Sequence, residues 1–231
     1  MDVLFINPNS SAKAYQELSK IYSAIEPPTW SLLLAESCRS KGFDVGILDC
    51  DAERLSIEQS LSRVQKSNPR LIVFVVYGQN PNSGTTSMIG AIDLAKSIKQ
   101  SNSVVSPICF VGSHTSALPS EVLSEDCIDL VLLNEGVYAL HNLLKSDLKH
   151  ELPLIKGIGY EKHDLINGLI PILNHPEIVV PQEMMDKDLP GYAWDLLPFK
   201  DQPLDLYRAH FWHTEFDHSE ITLAELIEVL D

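Results

Sequence analysis

The chain of 231 residues carries 17 Lys and Arg against 32 Asp and Glu, a formal net charge of −15. That balance lacks the cationic footprint needed to neutralise nucleic-acid phosphates. Its 45% hydrophobic content suffices for one well-buried domain with an appendage, or for two small domains. No apolar stretch reaches membrane-span length and no basic segment precedes the first apolar run, so the expectation is a cytoplasmic protein without a signal peptide.

Val3-Leu-Phe-Ile6 is predicted as a buried strand ended by Asn7-Pro8-Asn9, because Pro removes a donor and Asn favours turns. The connection over 9–28 is long, with a short helix expected around 14–25 whose Tyr15, Leu18, Ile21, Tyr22 and Ile25 suit an ordered cover. Pro27-Pro28 blocks helix upstream, and Trp30, Leu33, Leu34 and Cys38 recur at helical spacing until Gly42. Val45-Gly-Ile-Leu48 gives a second strand, and Ile57, Leu61 and Val64 a second helix that ends before Asn68-Pro69. Leu71-Ile-Val-Phe-Val-Val-Tyr77, apolar without alternation, is the predicted central strand. A polar loop over 78–84 follows it, and then a helix carrying Met88, Ile92, Ala95 and Ile98.

The next strand, within 107–111, stops at Gly112, whose missing side chain lets the backbone pass close to something just past the strand's end. Ser113 and His114 are expected there as an exposed loop, and a β-branched residue at Gly112 is expected to weaken ligand binding without unfolding the chain. A short helix near 120–123, a fifth strand over 130–133, the turn Asn134-Glu135-Gly136 and a helix with Val137, Leu140, Leu144 and Leu148 complete the alternation. Five strands alternating with five helical patterns predict an α/β fold, a doubly wound five-stranded parallel sheet of flavodoxin-like order 2-1-3-4-5.

After His150 the period changes. Segments at 156–160 and 169–173 read as a β-hairpin, and 176–203, rich in Pro, acidic and aromatic residues, reads as an ordered linker lying along a neighbour. The division expected is 1–150 for the sheet domain, 151–216 for hairpin and linker, and 217–231 for an acidic tail in which Thr222 caps a short helix. Cys38, Cys50, Cys109 and Cys127 are widely spaced and form no Cys-x-x-Cys pair, which predicts reduced thiols.

Several chemistries lack their residues. There is no Gly-rich turn after the first strand for a dinucleotide, no Walker A loop, and no acidic pair at the ends of the first and third strands for a phosphoacceptor. Four polar loops instead share one sheet edge, at 7–11, 77–84, 112–115 and 134–136. Their amides, hydroxyls and carboxamides suit a large planar ligand with amide side chains better than a compact phosphate. His210, His213 and His218 with Glu215 and Asp217 have metal-like spacing, but without a rigid scaffold they read as surface residues.

Glu26-Pro-Pro-x-x-Ser-Leu-Leu-Leu-Ala with Gly42-Phe-Asp-Val, Pro69-x-Leu-Ile-Val, Val111-Gly-Ser-His-Thr-Ser-Ala-Leu-Pro-Ser-Glu-Val-Leu and Asp129-Leu-Val-x-x-Asn-Glu-Gly follow one another in order. Together they resemble the N-terminal cobalamin-binding domain of cobalamin-dependent radical S-adenosylmethionine enzymes, over residues 1–216. The resemblance implies a corrin on the carboxyl edge of the sheet. By position it implicates Asn7, Pro8 and Asn9, then Tyr77, Gly78, Gln79 and Asn80, then Gly112, Ser113 and His114, and finally Asn134, Glu135 and Gly136. Two departures add side chains: Ser113 follows Gly112 where the family commonly has a second Gly, and Asn134 stands where a Gly commonly precedes Glu135.

The Asp-x-His-x-x-Gly segment that supplies a lower cobalt ligand in other cobalamin proteins is absent from the sequence. The implied cobalamin therefore lacks a lower His ligand from this chain, and His114 reads as a packing or hydrogen-bonding residue. The family's barrel opens with Cys-x-x-x-Cys-x-x-Cys, whereas no cysteine follows Cys127 here. The expectation is a cofactor domain, not catalytic alone and without an iron-sulfur cluster, separated from a radical S-adenosylmethionine methyltransferase-type partner by truncation, splitting or rearrangement. The residues also allow a flavodoxin-like module that binds a flavin or no ligand. A hydrolase using Ser113 or Thr115 lacks both a nucleophile elbow and an identifiable acid-base partner.

Overall fold

The computed structural model describes residues 1–10, 25–77, 81–164, 168–201 and 206–207. The helix expected around 14–25 lies outside them except for its last residue, Ile25, as do the loop residues Gly78, Gln79 and Asn80, the His210 to His218 group and the tail helix.

One sheet organises the chain. Its strands are β1 (Val3–Asn7), β2 (Val45–Asp49), β3 (Leu71–Val76), β4 (Ile108–Gly112), β5 (Leu130–Leu132), β6 (Ile158–Asp164) and β7 (Gly168–Leu173). They lie in the order β2-β1-β3-β4-β5-β6-β7. The first five are parallel in the predicted order, and the hairpin continues the same sheet, β6 running antiparallel to β5 and β7 to β6. The sheet thus has seven strands where five plus a hairpin were expected. β3 and β4 are buried along their whole lengths because helices cover both faces, which is why their sequences are apolar without alternation.

On one face α1 (Thr29–Ser40) and α6 (Val137–Lys145) pack over Phe5, Val73, Val75 and Val111. On the other, α2 (Ile57–Ser67) and α3 (Pro81–Gln100) cover Ile6, Ile72, Phe74 and Phe110. The Phe74 and Phe110 rings stack there at 4.9 Å. Ser56 starts α2 through a reciprocal capping box with Gln59, and Asn68 ends it in the left-handed conformation.

Ser113–Ala117 forms a single helical turn, α4, where a loop was expected, and α5 (Pro119–Leu123) follows at once. The linker was expected to lie along a neighbour, and it lies along this domain. Val180, Leu189, Ala193 and Leu196 belong to the α1/α6 face of the core. Ser37 donates to the Asp188 carbonyl and meets His141 Nε2 at 3.0 Å. The Asp188 carboxylate accepts from Lys41 and Tyr138 at 2.7 Å each, and Arg39 grips Asp195 with two nitrogens. With its one hydroxyl proton committed to Asp188, Ser37 takes its second bond from a His141 that carries its proton on Nε2. Among the described residues no helix is long and apolar enough to cross a membrane.

Candidate functional site at the carboxyl edge

Parallel strands with right-handed crossovers deliver the loops after β1, β3, β4 and β5 to one edge, and the order reverses between β1 and β3. Asn7 and Asn9 are half-buried at the first of these ends, and Pro8 is buried. The Asn7 carboxamide donates to Asp49 Oδ1 at 2.8 Å, and Asn9 donates to the Leu55 carbonyl at 3.3 Å. The strand-end loop seats itself on α3 at Gly90, where a Cβ would lie 2.5 Å from Ser10 Oγ and 2.6 Å from the Asn9 carbonyl oxygen. Ser10 completes the seat by donating to the Ser87 carbonyl at 2.9 Å.

At the end of β3 the half-buried Tyr77 packs its ring 5.4 Å from Trp30, at the start of α1, and donates its hydroxyl to the Asn134 carbonyl at 3.1 Å. Burial, followed by the nearby Glu135 charge, pushes the Tyr77 phenol up to about 12, so it remains a donor at neutral pH. Asn134, exposed and with φ +56°, holds the left-handed turn that its short polar side chain tolerates, and Gly136 caps α6 at φ +74°. Glu135 reaches back to accept from the Val180 amide, which ties the linker to the edge.

At the end of β4, Gly112 has extended backbone, and a Cβ there would lie 2.2 Å from the Val76 carbonyl oxygen of β3. The neighbouring strand is therefore what the missing side chain admits. A β-branched residue at this position disrupts the sheet, which corrects the expectation that such a variant would lose only ligand. Ser113 and His114 are partly exposed on α4, and His114 Nδ1 lies 3.2 Å from Thr85 Oγ1. Thr115 is buried, and its hydroxyl has no hydrogen-bond partner among the described residues. The Trp30 indole N–H is likewise buried and unpartnered. Such groups are costly unless something completes them.

Two residues of this edge escaped the sequence reading. Asp49, the last residue of β2, is fully buried and accepts from Asn7, from the Ala52 amide at 3.1 Å and from the Tyr207 hydroxyl at 2.7 Å. Burial outweighs these three donors and pushes its carboxyl up to about 6. Tyr207, also fully buried, arrives with Leu197 beside Ile25, Leu32 and Ala52. A lone Asp at a strand end carries no local signal, and a Tyr 158 residues away carries none for its partner.

Of the expected site residues, Asn7, Tyr77, Gly112, His114, Asn134 and Glu135 thus stand at strand ends along a single edge. Hydrogen bonds link Tyr77 to Asn134, whereas His114 turns to α3. Among the described residues no cluster of His, Cys, Asp and Glu has the makings of a metal site.

The strand order and the edge define a doubly wound, flavodoxin-like domain whose strand-end loops meet at the switch point of the sheet. Residues 22–144, more than half of the chain, match the B12 binding domain, and the chain belongs to that family. Among solved structures, the cobalamin-dependent S-adenosylmethionine radical enzyme OxsB, with aqua-cobalamin and S-adenosylmethionine bound, is similar at 21% identity and TM-score 0.57, over 81% of this chain and 23% of that one. The radical S-adenosylmethionine methyltransferase TsrM from Kitasatospora setae, with cobalamin and a [4Fe-4S] cluster bound, is similar at 16% identity and TM-score 0.55, over 79% of this chain and 30% of that one. This chain therefore spans about a quarter to a third of the length of these enzymes. No curated protein matches its sequence.

Proposed function

We propose that this chain holds cobalamin on the carboxyl edge of its sheet and presents it to a radical S-adenosylmethionine active site that lies outside these residues. What carries the reading is the match to the B12 binding domain over 22–144, a stretch that contains three of the four strand-end loops. The donor set fits the group: corrin side-chain amides both donate and accept, and the edge offers the unpartnered Thr115 hydroxyl and Trp30 N–H beside three carboxamides.

Bound there, cobalamin supplies a cobalt-carried methyl group for transfer to an unactivated centre. The chain's own residues bind and orient. Asn7, Asn9 and Asn134 offer carboxamides from two ends of the edge, and Trp30 with Tyr77 forms an apolar wall that sheds water from one side. Gly78, Gln79 and Asn80 belong to the same loop as Tyr77 and are assigned to the site with it. Ser113 offers a hydroxyl, and Pro8, Glu135 and Gly136 are assigned to the site through their loops. His114, bonded to Thr85, is assigned no cobalt bond, so the lower face receives no His from this chain.

We assign the chain to the cytoplasm, with a radical S-adenosylmethionine domain as partner and neither nucleic acid nor membrane as ligand. We also assign it no iron-sulfur cluster, and take 1–150 as the cofactor unit with 151–216 as its hairpin and strap. The test is the visible spectrum of the purified protein after incubation with hydroxocobalamin and desalting. A retained corrin spectrum at near-stoichiometric amount is expected, and a protein that emerges colourless overturns the reading.

A further inference from the structure

The last residues of β1 and β2 are register partners, so Asn7 and Asp49 sit side by side at the carboxyl edge. Neighbouring residues of parallel strands turn their side chains to the same face. The Asp49 carboxylate meets three donors, Asn7 Nδ2 and the Ala52 amide on Oδ1 and the Tyr207 hydroxyl on Oδ2. An ionised carboxylate can only accept, so the Asn7 carboxamide has no choice of orientation: its NH2 faces Asp49 and its carbonyl oxygen faces the other way.

We infer that Asp49 is a positioning residue, which fixes Asn7 with its carbonyl oxygen outward to accept an N–H from a corrin side-chain amide. This rests on the cofactor reading above. The half-buried Asn7 is the residue placed to touch ligand, whereas Asp49, fully buried under Tyr207 and Ala52, acts through it. Without Asp49 the carboxamide is free to turn, and an outward NH2 donates to the carbonyl of an amide or of an ester alike, so the preference for N–H groups falls. Asp49 thereby selects amide-bearing corrinoids over otherwise similar ones that lack N–H groups.

The substitution Asp49→Asn is the conservative case. The Ala52 amide can only donate, so the introduced carboxamide keeps its oxygen toward Ala52 and Asn7 and turns its NH2 to the Tyr207 hydroxyl, which rotates to accept. Asp49→Leu keeps the volume and removes the acceptor.

The experiment compares the affinity of the whole chain for dicyanocobinamide with that for dicyano-cobyrinic acid heptamethyl ester, in which the amides are replaced by esters. The native protein is expected to favour the amide corrinoid, and Asp49→Asn to keep the ratio within about threefold. Asp49→Leu is expected to lower it about tenfold, the worth of one hydrogen bond in a site closed to water. An Asp49→Leu protein that is folded by circular dichroism and binds both corrinoids more weakly with an unchanged ratio overturns the inference, since a merely structural role would do that. If Asp49→Leu does not fold, Asn7→Ala decides: its ratio falls about tenfold if Asn7 accepts the amide, and an unchanged ratio overturns the assignment. Failure of the native protein to bind either corrinoid overturns the cofactor reading and this inference with it, whereas native binding with the ratio intact in Asp49→Leu or Asn7→Ala overturns only the latter.

Discussion

Gly112 lies against Val76 so closely that a Cβ would come within 2.2 Å of the Val76 carbonyl oxygen. That atom belongs to the backbone of β3 and cannot swing aside as a flexible side chain would. Gly112→Val is therefore expected to cost at least about 3 kcal/mol, or to prevent folding. Thermal and urea unfolding followed by circular dichroism measure it; a variant with native stability would show that the two strands can part without loss.

His114 has its Nδ1 engaged with Thr85 at 3.2 Å. His114→Ala should leave the ultraviolet-visible and electron paramagnetic resonance spectra of bound Co(II) cobalamin unchanged. A shift toward the form with no nitrogen below cobalt would make His114 a ligand.

Two buried groups give opposite pH dependences. Asp49 is raised from its ordinary 3.8 to about 6 by burial, so the folded state keeps a proton that the unfolded chain has lost. Its contribution therefore falls as pH rises from 3.8 to about 6, by on the order of 3 kcal/mol. His141 is lowered from 6.5 to about 4, chiefly by burial and then by the charges of Lys41 and Lys145. Its contribution is full above 6.5 and is lost as pH falls toward 4. Between pH 4 and 6 the two largely offset each other. Asp49→Asn should expose the His141 limb, so that chemical unfolding shows stability dropping more steeply on acidification than in the native protein. A variant with the native slope would mean that Asp49 titrates normally.

The four cysteines are all free and buried, and burial pushes each thiol up, Cys50 to about 12. Such thiols are poor nucleophiles and poor cluster ligands. The native chain should react negligibly with Ellman's reagent until denatured, and should hold no stoichiometric cluster after anaerobic reconstitution with iron and sulfide. Rapid labelling of two or more thiols in the folded protein would contradict this.

The strap along α1 and α6 depends on a small buried network. Ser37→Ala removes the donor to the Asp188 carbonyl and the partner of His141, at a cost of about 1–3 kcal/mol. Limited proteolysis should then cut within 182–197 faster, while cleavage elsewhere stays at the native rate. Equal protection of that segment in both proteins would show that its apolar contacts hold it alone.

Much of this arrangement was legible because the parallel strands are buried on both faces. Leu71 to Val76 reads as a central strand without reference to any partner, since no position in it faces water. Helix stripes were coarser. Leu33 was placed in the buried stripe of the first helix, yet Leu32 is fully buried and Leu33 only partly, because α1 packs under both the sheet and the strap and buries a broad face. The turn Ser113–Ala117 is polar and short, so its helical geometry has no periodic signature. The tie of Glu135 to Val180 and that of Asp49 to Tyr207 join residues 45 and 158 positions apart, beyond any local pattern. Gly112 was read correctly as a point of close approach, but strand adjacency was needed to say what approaches.

Tyr207 carries a consequence of its own. After β7 the chain passes Glu135, crosses α1 and α6, and is pinned by Tyr207 to Asp49 at the end of β2. It has travelled from the far margin of the sheet to the rim of the crevice. β7 stands some four strands from β3, roughly 19 Å at the ordinary interstrand spacing. The strap spans that distance, so loosening it along α1 and α6 also withdraws a donor from Asp49 at the crevice.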